Sequence, residues 1–99
     1  MRIRNFVHTG LKRLYSEGNA TGVPADAVDK LLKILAFLQD MEDPQELRVF
    51  PVWNVHTMTG DRKGTWSLHV TRNWRLTFWV HREEHEICDV NDEDDHERS

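Results

Sequence analysis

At 99 residues, with one cysteine and a formal charge of −4, the chain excludes several classes of protein at once. A chain this short buries only about two thirds of its unfolded surface, so one core and a single domain spanning 1–99 are expected. A lone cysteine permits no internal disulfide, no apolar run nears the ~20 residues of a membrane span, and no apolar stretch follows the basic start as an export signal requires. A soluble protein of a reducing cytoplasm, with no membrane partner, is expected.

The opening residues Arg2, Ile3, Arg4, Asn5, Phe6 alternate and suit a short strand at a sheet edge. Val7, Leu11, Leu14 and Tyr15 then recur at helical spacing, and Gly18 is placed to end that helix. After a polar linker, Pro24 fits the first turn of a longer helix. Ala27, Leu31, Ile34, Leu38 and Met41 fall on one face of it, widened by Val28, Leu32 and Leu35. Acid-first pairs Asp26/Lys30 and Asp29/Lys33 mark its wet back. Asp43 and Pro44 stop the helix, and residues 45–50 suit a short helical turn carrying Leu47.

From Pro51 the apolar period changes to two. Trp66, Leu68 and Val70 alternate with Ser67, His69 and Thr71, and after a turn at Arg72 and Asn73, Leu76, Phe78 and Val80 alternate with Arg75, Thr77 and Trp79. A further hairpin turning at Arg82 to Glu84 leads to Glu86–Val90. The predicted architecture is α+β: two N-terminal helices packed on one side of a mainly antiparallel sheet, in two layers.

Charge is segregated along this frame. Between Leu47 and His81 the bases Arg48, Arg62, Lys63, Arg72 and Arg75 face the single acid Asp61, whereas Asp89, Asp92, Glu93, Asp94, Asp95 and Glu97 crowd the acidic segment 89–99. The pattern reads either as a basic nucleic-acid face with an acidic tail or as a solvated surface with a frayed end.

The chemistry concentrates in the run from His56 to Phe78 and in Asp94, Asp95 and His96. Strand periodicity puts Arg75 on the face opposite Leu76 and Phe78, where a guanidinium held on a rigid strand can clamp phosphate bidentately and stabilise charge building on phosphorus; the alternative is an ordinary cross-strand arginine. His56 and His96 can each take or give a proton near neutral pH, or be surface histidines. Gly60 and Gly64 bracket a turn with Arg62 and Lys63 at its tip, suited to an RNA backbone or to a plain hairpin. Trp79 either stacks a base or lies under the C-terminal segment. No GxxxxGK[ST] loop, HExxH, CxxC or GxSxG elbow is present, so a nucleotide-triphosphate site, a metal centre (His81 and His85 with Asp89, Asp92 or Asp94 being the one arrangement available) and a serine hydrolase are disfavoured. No metal and no cofactor are expected.

The succession HTMTGDRKGTWSLHV, NWRLTF and a late DDH resembles the HigB branch of the RelE/ParE toxin superfamily, the plasmid-maintenance killer proteins, whose members read HPLKGDRxGxWS, NWRxTF and EDYH. The openings RNFVHTGLKRLY and GVPADAVDKL resemble that family's N-terminal helices, so the likeness spans nearly the whole chain. It implies a RelE-like two-layer fold and a bacterial, cytoplasmic type II toxin. Such a toxin is a metal-independent endoribonuclease that enters the A site of the small ribosomal subunit, cuts translated mRNA and is neutralised by a HigA-like helix-turn-helix antitoxin. Family roles fall on His56, Arg75, Asp94 and His96, with Arg62, Lys63, Arg72 and Trp79 placed to bind RNA. Two positions depart from the pattern: Thr59 stands where the family has lysine, and Asp95 where it has tyrosine. The second loses an aromatic platform and adds negative charge. Their alternative implication is a weakened or inactive toxin that serves as an antitoxin- or ribosome-binding module.

Overall fold

A computed structural model describes residues 1–94. Strands β1 (Arg2–Ile3), β2 (His56–Thr57), β3 (Thr65–His69), β4 (Trp74–His81) and β5 (Glu86–Asp94) form one sheet in the order β1-β5-β4-β3-β2. All neighbours are antiparallel except β1 and β5, which run parallel, and the parallel pairing is prolonged by an isolated bridge from Phe6 to Val90. Both edge strands are two residues long, which limits edge-to-edge association. The expected α+β class, and the opening strand at a sheet edge, are observed.

Helix α1 (Thr9–Glu17) starts later than the apolar period suggests. His8 is the N-cap, its Nδ1 accepting the Leu11 N–H at 3.1 Å, and Val7 lies outside the helix, 57% exposed. A residue that breaks helical geometry to cap it takes the start away from the apolar pattern. Gly18 ends α1 in the left-handed region, φ 70°, as expected. Gly10 touches the Gly22 backbone so closely that a Cβ there would lie 2.2 Å from the Gly22 carbonyl oxygen. That approach seats α1 against the linker preceding α2.

Helix α2 (Val28–Asp40) is preceded by a single 3-10 turn over Ala25–Ala27, with Pro24 just outside it rather than in the first turn. Ala27, Leu31, Ile34, Leu35, Leu38 and Met41 are buried as expected, but Leu32 is 44% exposed. The apolar stripe is thus narrower than the sequence suggests, since a residue one step round from Leu31 turns off the sheet. The Met1 amino group donates to the Leu38 and Gln39 carbonyls at 3.2 and 2.9 Å, placing a cation at the negative end of α2. Asp43 and Glu46 form a reciprocal capping box on the following 3-10 turn, Pro44–Val49, which buries Leu47.

Both helices cover one face of the sheet. Leu11, Leu14, Leu31, Ile34 and Leu38 from the helices share a core with Trp66, Leu68, Leu76, Phe78, Ile87 and Val90 from the strands. Trp66 lies opposite Phe78 and Leu68 opposite Leu76 across the β3–β4 pair, so the two-residue period of the sequence does place its apolar set on the helical side. No helix among the described residues is long and apolar enough to cross a membrane.

Candidate RNA-cleavage site

The other face of the sheet carries His56, Ser67, Arg75, Thr77, Trp79 and Glu93. Register explains the grouping: His56 lies opposite Ser67, Ser67 opposite Thr77, and Arg75 opposite Glu93. Residues from four adjacent strands therefore reach the same patch, although His56 and Glu93 lie 37 positions apart in sequence.

Arg75 stands at its centre. Its Nε donates to Ser67 Oγ at 2.8 Å, and its terminal Nη2 contacts His56 Nε2. Because a guanidinium only donates, that imidazole nitrogen is the acceptor, and a neutral His56 ring carries its proton on Nδ1. Ser67 is fully buried and Thr77 nearly so. A buried hydroxyl costs free energy unless it is hydrogen-bonded, and both are engaged, Ser67 by Arg75 and Thr77 by Glu93 Oε2 at 3.2 Å. The guanidinium is consequently fixed in direction.

Glu93 is the acid that the strand period brings to this face. Arg62 reaches it from the Gly60–Gly64 turn with Nη1 donating to Oε1 at 2.8 Å and Nη2 to Oε2, a two-point ion pair. The hydrogen bond from Arg62, followed in weight by its charge and the Thr77 bond, holds the Glu93 carboxyl below the usual carboxylate range against partial burial; the same contact pushes Arg62 up. Asp94 lies one step on and pairs in register with Trp74. His96 and Asp95 lie outside the described residues.

The expected RNA contacts divide. Arg62 and Lys63 part at the tip of the turn, Arg62 toward Glu93 and Lys63 toward a groove behind the sheet edge. Arg72 is exposed in the β3–β4 turn. Trp79, 37% exposed, is tethered rather than free: Nε1 donates to Asp89 Oδ2 at 2.8 Å, and Asn5 Nδ2 donates to Oδ1 of the same carboxylate at 2.7 Å. These two bonds pull the Asp89 carboxyl below its ordinary range. Asp89 adopts φ 56°, beside the register shift between Thr77 and Trp79. Such a bulge re-aims the strand next to the patch.

Sequence reasoning passed over Ser67 and Glu93. Ser67 shares the alternate period of Arg75 on the neighbouring strand, a signal that was legible; Glu93 was hidden in an acidic run that offered no way to choose among its members. Nothing at His81 and His85 resembles a ligand pair. His81 Nδ1 accepts the Glu84 N–H at 3.2 Å to close the hairpin, and among the described residues no group of three or more His, Cys, Asp and Glu side chains is gathered as a metal ion needs.

A five-stranded sheet with two helices on one face is a fold shared with small toxins of known structure. YafQ from E. coli superposes with a TM-score of 0.61 at 14% identity, covering 95% of this chain and 93% of that one. A YoeB/ParE toxin from Agrobacterium tumefaciens gives 0.58 at 14% identity, with 97% and 100% covered. At such identities the likeness speaks for the fold. Sequence carries the rest: the profile of the HigB-like toxins, described as the RelE-like toxin of the type II toxin-antitoxin system HigB, matches residues 4–95. Endoribonuclease HigB of Proteus vulgaris is 40% identical over 76 residues, 77% of this chain and 82% of that protein. The chain belongs to the HigB-like toxin family, and membership in a type II toxin-antitoxin system implies an antitoxin partner.

Proposed function

We propose that this chain, acting in the bacterial cytoplasm as a single toxin domain over 1–99 with 89–99 as its acidic C-terminal segment, is a ribosome-dependent endoribonuclease that cuts translated mRNA. The observation that carries the reading is the contact of Arg75 with His56, buttressed by Ser67. It sets a phosphate-binding fork beside a group able to move a proton. The cut strand enters the ribosomal A site, and a HigA-like helix-turn-helix antitoxin silences the toxin.

The reaction is a metal-independent transesterification. A base removes the ribose 2'-hydroxyl proton, O2' attacks the adjacent phosphorus, the P–O5' bond breaks, and an acid returns a proton to O5', leaving a 2',3'-cyclic phosphate. Arg75 stabilises the charge gathering on the non-bridging oxygens. His56 and His96 handle the two protons, and Asp94 orients one of them. Arg62, Lys63, Arg72 and Trp79 hold the flanking strand. A phosphate arriving at Arg75 displaces the imidazole, which frees Nε2 for proton transfer.

Family membership and the Proteus relative favour this reading over a non-catalytic binding module. Expression without antitoxin should arrest growth, and primer extension should map cuts within translated mRNA. Arg75→Ala should lower cleavage on programmed ribosomes by about 10²–10³-fold, the loss typical of removing one transition-state donor. His56→Ala and His96→Ala should be impaired too. Unchanged cleavage in Arg75→Ala would remove it from the reaction. If Asp95→Tyr converts an inert protein into an active one, the native chain is the binding module instead.

A further inference from the structure

Behind the β2 edge, on the side of the sheet away from Arg75, lies an open groove of about 640 Å³. Arg48, Lys63 and Arg82 line it, with Gln45, Thr57 and Thr59 between them; among the described residues no acidic side chain lines it, and Glu42 and Asp43 belong to an adjoining cleft that also borders Arg82. The ion pairs among the described residues are Arg2–Glu86, Arg4–Glu86 and Arg62–Glu93. None of them engages the three groove cations, so a protein of net charge −4 gathers here three cations without an ion-pair partner among the described residues.

Arg48 is the most organised of the three. Its guanidinium lies over the Trp66 ring at 5.1 Å, with Nε donating to Gln45 Oε1 at 2.8 Å and Nη1 to the Val55 carbonyl at 3.4 Å. Its remaining amino group has no bonded partner among the described residues. A stacked, braced arginine is a preset phosphate donor, since little rotational freedom is left to lose on binding.

The groove and the Arg75 face meet along a narrow border. His56 on the front and Thr57 in the groove are consecutive residues of the outermost strand, and Arg62 and Lys63 are consecutive in the adjoining turn. A strand leaving the front patch has only this two-residue edge to cross. We propose that the groove is a second RNA subsite, which takes the phosphodiester backbone of the same strand whose phosphate is attacked at Arg75, a few nucleotides from the cut. The proposal rests on the endoribonuclease reading for the identity of the strand. Continuity with the front patch favours a nucleic-acid chain over an acidic peptide, which would need no such border.

The test measures binding of RNA made uncleavable by 2'-O-methylation, as a trinucleotide and as a dodecamer, by fluorescence anisotropy across a range of salt. The wild-type chain should bind the dodecamer more tightly and with a steeper salt dependence. Arg82→Gln and Arg48→Gln should each erase several-fold of that gain and reduce the slope by roughly 0.7 per cation, as expected for one single-strand phosphate contact. Trinucleotide affinity should not change. Arg82→Gln guards against misfolding, as it leaves the Arg48–Trp66 stack untouched. Equal weakening of both lengths, no weakening, no gain with length in the wild type, or tighter binding of a polyglutamate peptide than of the dodecamer would each overturn the proposal. So would loss of ribosome affinity in Arg82→Gln with dodecamer affinity intact, which would hand the groove to ribosomal RNA. A chain that binds the dodecamer through the groove yet cuts no mRNA would uphold the subsite and refute the endoribonuclease reading.

Discussion

The two faces of the β3–β4 hairpin are built from alternate residues of the same strands, yet they spend burial differently. On the helical side Trp66, Leu68, Leu76 and Phe78 are removed from water and the return is stability through apolar transfer and packing. On the front Ser67 and Thr77 are buried to the same degree, but as hydroxyls whose bonds fix Arg75 and Glu93. Burial there contributes direction rather than much free energy, since a hydrogen bond exchanged for water nets only about 1 kcal/mol. Substitutions on one face should therefore register in unfolding, and those on the other in turnover.

Phe78→Ala should give the largest effect, about 3–5 kcal/mol of stability, because it opens a void beneath the stacked Trp66 ring. Urea unfolding measures it. Arg75→Ala, three residues away on the opposite face, should move the midpoint less, by about 1–3 kcal/mol for leaving the buried Ser67 hydroxyl without its partner, while lowering cleavage about 10²–10³-fold. If Arg75→Ala unfolds the chain as readily as Phe78→Ala, the division between the faces fails.

Gly10→Ala tests how the helical layer is seated. The added methyl meets the Gly22 carbonyl, backbone rather than a yielding side chain, so overpacking should cost about 1–3 kcal/mol. The measurement is the shift in urea midpoint, with Gly18→Ala as a contrast: there the space is open and only the φ of 70° penalises the change.

Ser67→Ala sharpens the front-face half of the comparison. It deletes the acceptor for Arg75 Nε without touching the groups proposed to meet substrate, so Ser67 is a positioning residue. kcat should fall about tenfold, the scale of one hydrogen bond to a charged group, with KM changed less. Ser67→Thr, which keeps the hydroxyl, should recover most of it. A loss expressed in KM alone would make Ser67 part of RNA binding.

How much of this was legible follows the same division. The dry face was, because apolar alternation from Trp66 to Phe78 reports burial directly, and the helical stripe erred only at Leu32 and at its ends. Arg75 was legible as a side chain projecting from the uncovered face. Of its partners, Ser67 was legible from the same alternation, but the His56 contact depends on the β2–β3 register, which a two-residue strand scarcely encodes. The choice of Glu93 from an acidic run depends on the path of β5 past its bulge at Asp89. Lys63 and Arg62 looked equivalent in sequence, yet the turn sends them to opposite sides of the sheet.

The smallest effect concerns His8, where the helical layer meets the strand bearing Arg75. Its ring caps α1 through Nδ1 and stands edge-on to Trp74 at 5.4 Å, and partial burial lowers its pKa from the ordinary value. A protonated ring can no longer accept at Nδ1, and it would place a cation at the positive end of the helix. The folded pKa lies below the unfolded one, so between the two the unfolded chain binds more protons. Stability is then complete above about pH 6.5 and declines as pH falls toward the folded pKa. Glu93 and Asp89, held below the usual carboxylate range, contribute stability above their unfolded pKa and lose it only as pH falls below roughly 5, a separate window. His8→Asn retains a capping acceptor without a titrating ring, so its urea midpoint should change less between pH 8 and pH 5.5 than that of the wild type. Parallel pH profiles for the two proteins would show that the cap at His8 is not what acid weakens.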